Sequence, residues 1–243
     1  MARGPGVNLS IREKRYGGAG LAVLGALELA IEPGSVVALV GSSGVGKSTL
    51  LRMIAGIDTA FDGSIKIGSQ AASEASPPGL VFQDSRLLPW LTTIDNLLAV
   101  REQTTKADAA RWLQRVGLGD VLDVFPGQLS GGMQRRVALA RALSVNPKFL
   151  LLDEPFVSLD RHLVVELEAL VSDLITAEGS TAILVTHLIE DAAALADRLV
   201  MLSGRPARIV ADFKLDLPRA ERNPIELARL STELAAQLKD FAS

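Results

Sequence analysis

Gly41-Ser42-Ser43-Gly44-Val45-Gly46-Lys47-Ser48-Thr49 is the stretch on which the reading of this chain turns. Gly41 and Gly46, with Lys47 and Ser48 directly after, match the pattern of a phosphate-binding loop. The glycines let the backbone bend tightly and approach an anion that a Cβ would hold off. The loop N–H groups and the positive end of the following helix then face the phosphate. Lys47 supplies a mobile point charge for the outer phosphates, and Ser48 offers a hydroxyl to Mg²⁺. The flanks agree. Val36-Val37-Ala38-Leu39-Val40 reads as a buried strand and Thr49-Leu50-Leu51-Arg52-Met53-Ile54-Ala55 as a helix, which is the context the motif requires.

A second stretch complements the first. The apolar run Phe149-Leu150-Leu151-Leu152 reads as a central parallel strand, and Asp153-Glu154 stands at its C-terminal end, where ligands bind in open α/β sheets. Asp153 is placed to engage Mg²⁺, directly or through water, and Glu154 to act as general base on an attacking water. Thr181-Ala182-Ile183-Leu184-Val185 is another buried strand, ending at Thr186-His187. His187 there can sense a γ-phosphate or hold the base and water in place. The other histidine, His162, reads as solvent-facing. Gly79-Leu80-Val81-Phe82 is a strand ending at Gln83, whose amide can reach a metal or a water, though alone it reads as a loop residue.

Composition sets limits. The chain has 243 residues, enough for one domain with a sub-domain. With 25 Lys and Arg against 28 Asp and Glu, the net charge is −3, which argues against a nucleic-acid groove. Cysteine is absent, which excludes a disulfide framework and a cysteine zinc site. Met1-Ala2-Arg3-Gly4-Pro5-Gly6 has no apolar core of a secretory signal. No apolar run approaches the ~18 residues of a membrane span. Yet 48% of residues are hydrophobic and the mean hydropathy is +0.29, so a large core, and a face buried by a partner, are both expected.

Elsewhere, Val7, Leu9 and Ile11, then Leu27, Leu29 and Ile31, alternate as half-buried strands. Tyr16, the only tyrosine, lies between them; alone it reads as an ordinary loop or core residue, although its ring could stack on a base. Ser64–Gly68 reads as a strand and 71–78 as a polar connector. From 84 to 128 the pattern turns helical, with Thr92 or Thr93 capping a helix to about Arg101 and a second helix from about Ala107 to Val116. Arg86-Leu87-Leu88-Pro89-Trp90-Leu91 reads as core or as a docking surface. Ser130 is a good N-cap for the helical run after it. Alone, Ser130-Gly131-Gly132 reads as a plain capped helix; as a second anion-binding helix start it has no use inside one molecule unless two copies pack head to tail. A helix is expected over 163–175 and short strands over 199–202 and 209–210. Asn223 caps a last helix with an apolar stripe, about 224–240.

Taken together these residues resemble the nucleotide-binding subunit of an ATP-binding cassette transporter. The resemblance covers nearly the whole chain. It rests on the phosphate loop, Gln83, Leu129–Gly132, Leu150–Glu154, Ser158–Asp160 and His187, in family order. Val81–Trp90 and Leu152-Asp153-Glu154-Pro155-Phe156 look like the nitrate, sulfonate and taurine importer subfamily. Departures are Met133 and Arg135, each where glutamine is usual, and Val157-Ser158, where Gly-Ala is frequent. The resemblance implies an α/β P-loop fold with a mainly parallel central sheet, an N-terminal antiparallel β subdomain and a helical subdomain at about 84–145, all in one domain over 1–243. It gives Tyr16 to adenine stacking, and Gly41 to Thr49, Ser130, Gly131, Gly132 and Asp160 to nucleotide contacts. It gives Ser48, Gln83 and Asp153 to Mg²⁺, and Glu154, His187 and Gln83 to hydrolysis. It implies a head-to-tail homodimer around ATP at the cytoplasmic side of the inner membrane, two permease subunits met near Trp90, and indirectly a periplasmic solute-binding protein. A lipid-transport cassette, or a soluble cassette acting in DNA repair or translation, are the alternatives.

Overall fold

The computed structural model describes residues 3–17, 20–101, 103–239 and 241. Gly18, in the loop after Tyr16, and Asp240, where the sequence predicts the last helix to end, lie outside the described residues.

Three largely apolar strands form the centre: β4 (Val36–Val40), β8 (Phe149–Asp153) and β9 (Thr181–Val185) are buried along their whole length, Asp153 and Thr181 at strand ends being the polar exceptions. A strand with both faces buried is a near-continuous apolar run, and its period of two sorts alternate residues to opposite sides. Here Val36, Ala38 and Val40 of β4 join one core while Val37 and Leu39 join the other, and β8 and β9 divide likewise. Burying each Val, Leu, Ile or Phe side chain of these strands contributes about 1.5–3 kcal/mol. The remaining strands of this sheet are β7 (Gly79–Val81), β10 (Arg198–Ser203) and β11 (Arg208–Lys214), in the order β11-β10-β4-β9-β8-β7. All neighbours are parallel except β10 and β11.

One core lies between this sheet and the N-terminal antiparallel sheet. That second sheet centres on β1 (Val7–Arg15), which pairs with β2 (Ala22–Leu24), β3 (Leu27–Ile31) and β5 (Asp62–Ile67); β6 (Gln70–Ala71) pairs with β5. Helix α1 (Lys47–Ile54) packs into the same core through Leu50, Leu51, Met53 and Ile54. The other core takes α2 (Thr93–Leu98), α3 (Lys106–Arg115), α4 (Gly131–Leu143), α5 (Arg161–Glu178), α6 (Ile189–Leu195) and α7 (Pro224–Lys239).

The structure departs from expectation in places. The helix capped by Thr92 stops at Leu98 rather than near Arg101. Strands β2 and β6 and helix α6 are additional, β6 taking up Ala71 from the expected connector. α5 is longer than the apolar run that marks it, because Asp160 caps it by accepting from His162 N at 2.9 Å.

Candidate functional site

Four strands end at one edge of the larger sheet, and each delivers a candidate residue. β4 enters the glycine loop, β9 ends at Thr186-His187, β8 ends at Asp153-Glu154 and β7 at Gln83. Because these strands are neighbours in the sheet, residues far apart in sequence meet.

The loop is glycine for reasons internal to the fold. Gly41 has φ +152°, and a Cβ there would lie 2.4 Å from the Leu202 carbonyl oxygen. Gly46 has φ +116°, and a Cβ would meet Leu24 Cδ2 at 2.8 Å. The loop leads through Gly46 into the head of α1, where backbone N–H groups and the helix's positive end suit a phosphate chain. Lys47 is 4% exposed, and its Nζ donates to the carbonyl oxygens of Gly41 at 2.8 Å and Ser42 at 3.0 Å. Burial pushes its pKa down, with Glu154 and Asp153 pulling the other way. A desolvated ammonium held by carbonyl dipoles gains strongly from an arriving anion.

Ser48 Oγ donates to Asp153 Oδ1 at 3.0 Å. Burial pushes the Asp153 carboxyl up, against the Ser48 hydrogen bond. Two converging oxygen donors fit a hard cation such as Mg²⁺. Among the described residues no group of three or more His, Cys, Asp or Glu could hold a metal; an ion held by this pair would need phosphate, amide or water oxygens as well, as Mg²⁺ commonly takes.

Glu154 adopts φ +49°, and its N–H donates to Val185 O at 2.8 Å. Left-handed backbone at a non-glycine residue costs about 1–3 kcal/mol. The turn brings Glu154 Oε1 to 3.2 Å from His187 Nδ1, and Oε2 accepts from Gln83 Nε2 at 3.4 Å. The Glu154 side chain is 14% exposed and that of His187 47%. A sheltered carboxylate is thus bracketed by two side chains from neighbouring strand ends.

Other candidates stand apart. The Tyr16 hydroxyl donates to Asp58 Oδ2 at 3.0 Å, and Lys14 Nζ lies 4.5 Å from its ring centroid, so the ring is tethered to the segment that follows α1. Ser130 caps α4, its Oγ accepting from Met133 N at 3.2 Å. Gly131 and Gly132 line a cleft of about 410 Å³ with Gln83, Ser85, Arg135 and Ser158. Arg135 donates from Nη1 to the Val157 carbonyl oxygen, which ties the head of α4 to the loop before Asp160.

A profile of the ABC transporter family matches residues 24–157, more than half of the chain. The chain belongs to the ABC transporter family. The match spans the phosphate loop, Gln83, the Ser130 helix start and Glu154. Among curated relatives of this cassette, "Aliphatic sulfonates import ATP-binding protein SsuB" of Albidiferax ferrireducens is 43% identical over 218 residues, covering 89% of this chain and 77% of that protein. The protein of the same name from Yersinia pestis is 42% identical over 236 residues, covering 96% and 86%. Among solved structures, a dimeric post-hydrolysis state of the ATP-binding cassette MJ0796 bound to ADP and Pi aligns with a TM-score of 0.78 at 29% identity, over 87% of this chain and 100% of that one.

Supporting residues of the cassette escaped the sequence reading. Buried Asn96 accepts from Leu88 N at 2.8 Å and donates to the carbonyl oxygens of Leu88, Leu91 and Thr92. Arg141 donates to the carbonyl oxygens of Ser85 and Arg86. These two side chains fasten the loop of residues 85–91, in which Leu87 packs on the core while Trp90 is 69% exposed. A polar residue inside a short helix reads as solvent-facing, so no sequence signal distinguished Asn96.

Proposed function

We propose that this sheet edge holds and hydrolyses ATP in the nucleotide-binding subunit of an importer, and that each candidate residue has a separate task. The cassette is an ATPase of the ABC family. The backbone of Gly41–Gly46 and Lys47 take the phosphates. Ser48, Asp153 and Gln83 hold Mg²⁺, which when bound neutralises charge on the outer phosphate oxygens. Glu154 takes a proton from the attacking water, with His187 and Gln83 fixing its two oxygens. Tyr16 stacks on the adenine through its exposed face. Ser130, Gly131, Gly132 and Asp160 close over the nucleotide of a second copy. The observation that carries this reading is Glu154 bracketed at 3.2 and 3.4 Å beside the Ser48–Asp153 pair.

The relatives' printed names support import of aliphatic sulfonates over the lipid-transport reading. Among the described residues no helix is long and apolar enough to cross a membrane. On this reading the chain acts as a single ATP-binding domain at the cytoplasmic face, with 84–145 as its helical subdomain. Trp90 meets one of two permease subunits, and a periplasmic binding protein delivers the solute. The test is Glu154→Gln in the cassette–permease complex. ATP binding persists while turnover and solute uptake stop; turnover at the wild-type rate overturns the base assignment.

A further inference from the structure

Behind the edge that carries His187 lies a group of buried charges with no part in the scheme above. Glu168 in α5 and Asp191 in the first turn of α6 are 5% and 0% exposed. One oxygen of each, Glu168 Oε1 and Asp191 Oδ1, has no hydrogen-bond partner. Both face the same cation: Arg161 Nη1 lies 3.6 Å from Glu168 Oε1 and 4.0 Å from Asp191 Oδ1. The second Asp191 oxygen accepts from Thr186 Oγ1 at 2.9 Å, and Thr186 Oγ1 accepts from Leu188 N at 3.0 Å. Thr186 and Leu188 flank His187. Arg161 directly follows Asp160, the cap of α5. One hydroxyl and one guanidinium therefore link the carboxylate pair to the His187 turn on one side and to the 158–160 loop on the other.

Two ionised carboxylates out of water repel, and a single half-exposed guanidinium cannot balance both. Charge balances when the pair keeps one proton. The other groups facing it are Glu190 of α6, which adds negative charge, and His187, which opposes it. Burial, foremost, pushes Glu168 up to about 7, with Asp191 adding to the rise and Arg161 opposing it. Burial likewise raises Asp191.

We propose that Glu168 and Asp191 share one proton and, closed by Arg161, form a positioning pair that holds the His187 turn against Glu154. The proposal rests on the assignment of His187 to the hydrolytic site. Above neutrality the shared proton leaves, two negative charges face each other, and the Thr186–Leu188 turn loosens.

The test uses ATPase kinetics of the full-length cassette. Asp191→Ala removes the acceptor for Thr186 and lowers kcat about tenfold with KM for ATP within about twofold. Asp191→Asn keeps an acceptor oxygen and recovers most of kcat. Glu168→Gln cannot lose a proton, so its kcat relative to wild type rises by roughly threefold or more between about pH 6.5 and pH 8. A ratio that stays flat across that range overturns the proposal, as does Asp191→Ala with wild-type kcat. Should Asp191→Ala fail to fold, the Glu168→Gln ratio decides alone. His187→Ala separates the two levels of inference. If His187→Ala hydrolyses normally, the site assignment fails; if it is impaired while Asp191→Ala is normal, only the positioning pair fails.

Discussion

Gly46 ahead of α1 and Gly131 at the head of α4 occupy similar places, each at the positive end of a helix with a serine close by. Their surroundings are opposite. A Cβ on Gly46 would strike Leu24 at 2.8 Å, at φ +116°, whereas a Cβ on Gly131 would meet nothing within 4 Å. Gly132 would touch only the end of the Leu159 side chain, at 3.1 Å. The first glycine answers to its own fold. The second is helical and unobstructed, where alanine would be better by up to about 1 kcal/mol. A glycine that its own chain does not need points to something outside the chain that comes close. On the reading proposed here that visitor is the nucleotide of a second copy, so the two helix starts form the two walls of one composite site.

The largest expected effect tests whether both walls close on the same nucleotide. Glu154→Gln removes the base and lowers kcat by about 10²–10⁴, while ATP now holds two copies together, seen as a dimer by size exclusion with light scattering. A variant that stays monomeric with ATP would break the composite site. Next, Ser130→Arg obstructs only the outer wall. Hydrolysis drops by roughly a hundredfold, the scale of losing a group that stabilises the transition state, while ATP binding to the monomer is unchanged in a calorimetric titration. Mixing Ser130→Arg with Lys47→Ala restores part of the activity, because one mixed dimer assembles one intact site; no recovery would refute the cross-chain geometry.

The glycines themselves sharpen the contrast. Gly46→Ala places a side chain at positive φ against Leu24 and destabilises the fold by about 1–3 kcal/mol. Gly131→Ala leaves the fold level or raises it by a few tenths to about 1 kcal/mol, yet lowers the ATPase rate. Urea unfolding of both variants measures the difference, and equal destabilisation would erase it. Smallest of all, Trp90→Ala changes stability by no more than about 0.5 kcal/mol, as expected for an exposed residue. It uncouples solute uptake from hydrolysis in the membrane complex; uptake at the wild-type rate would remove Trp90 from the permease contact.

What the sequence could convey follows from how local each signal is. β4, β8 and β9 are built on apolar runs of four or five residues, and the phosphate loop fixes what stands between β4 and α1, so the central sheet and its edge were readable. Ser130, Thr92 and Asn223 are caps whose partners lie within three residues. β2 and β6 have two or three residues each and exist because β1 and β5 are beside them. α6 has Leu188 at its N-cap position, which offers no side-chain cap, and this left its short alanine-rich run unmarked. Glu168 lies on the helix expected over 163–175, and its burial beside Asp191 of α6 follows from packing that no local pattern marks. The tether from Tyr16 to Asp58 spans two segments, so its anchor was equally hidden.

The twist at residue 154 has a consequence for heat resistance. Glycine would sit there at ease, so Glu154→Gly is expected to raise the melting temperature even as turnover vanishes. On the base assignment proposed above, the acid is a thermal liability kept for its chemistry, and a screen that selected this protein for hardiness alone would drift toward inert variants at that one position.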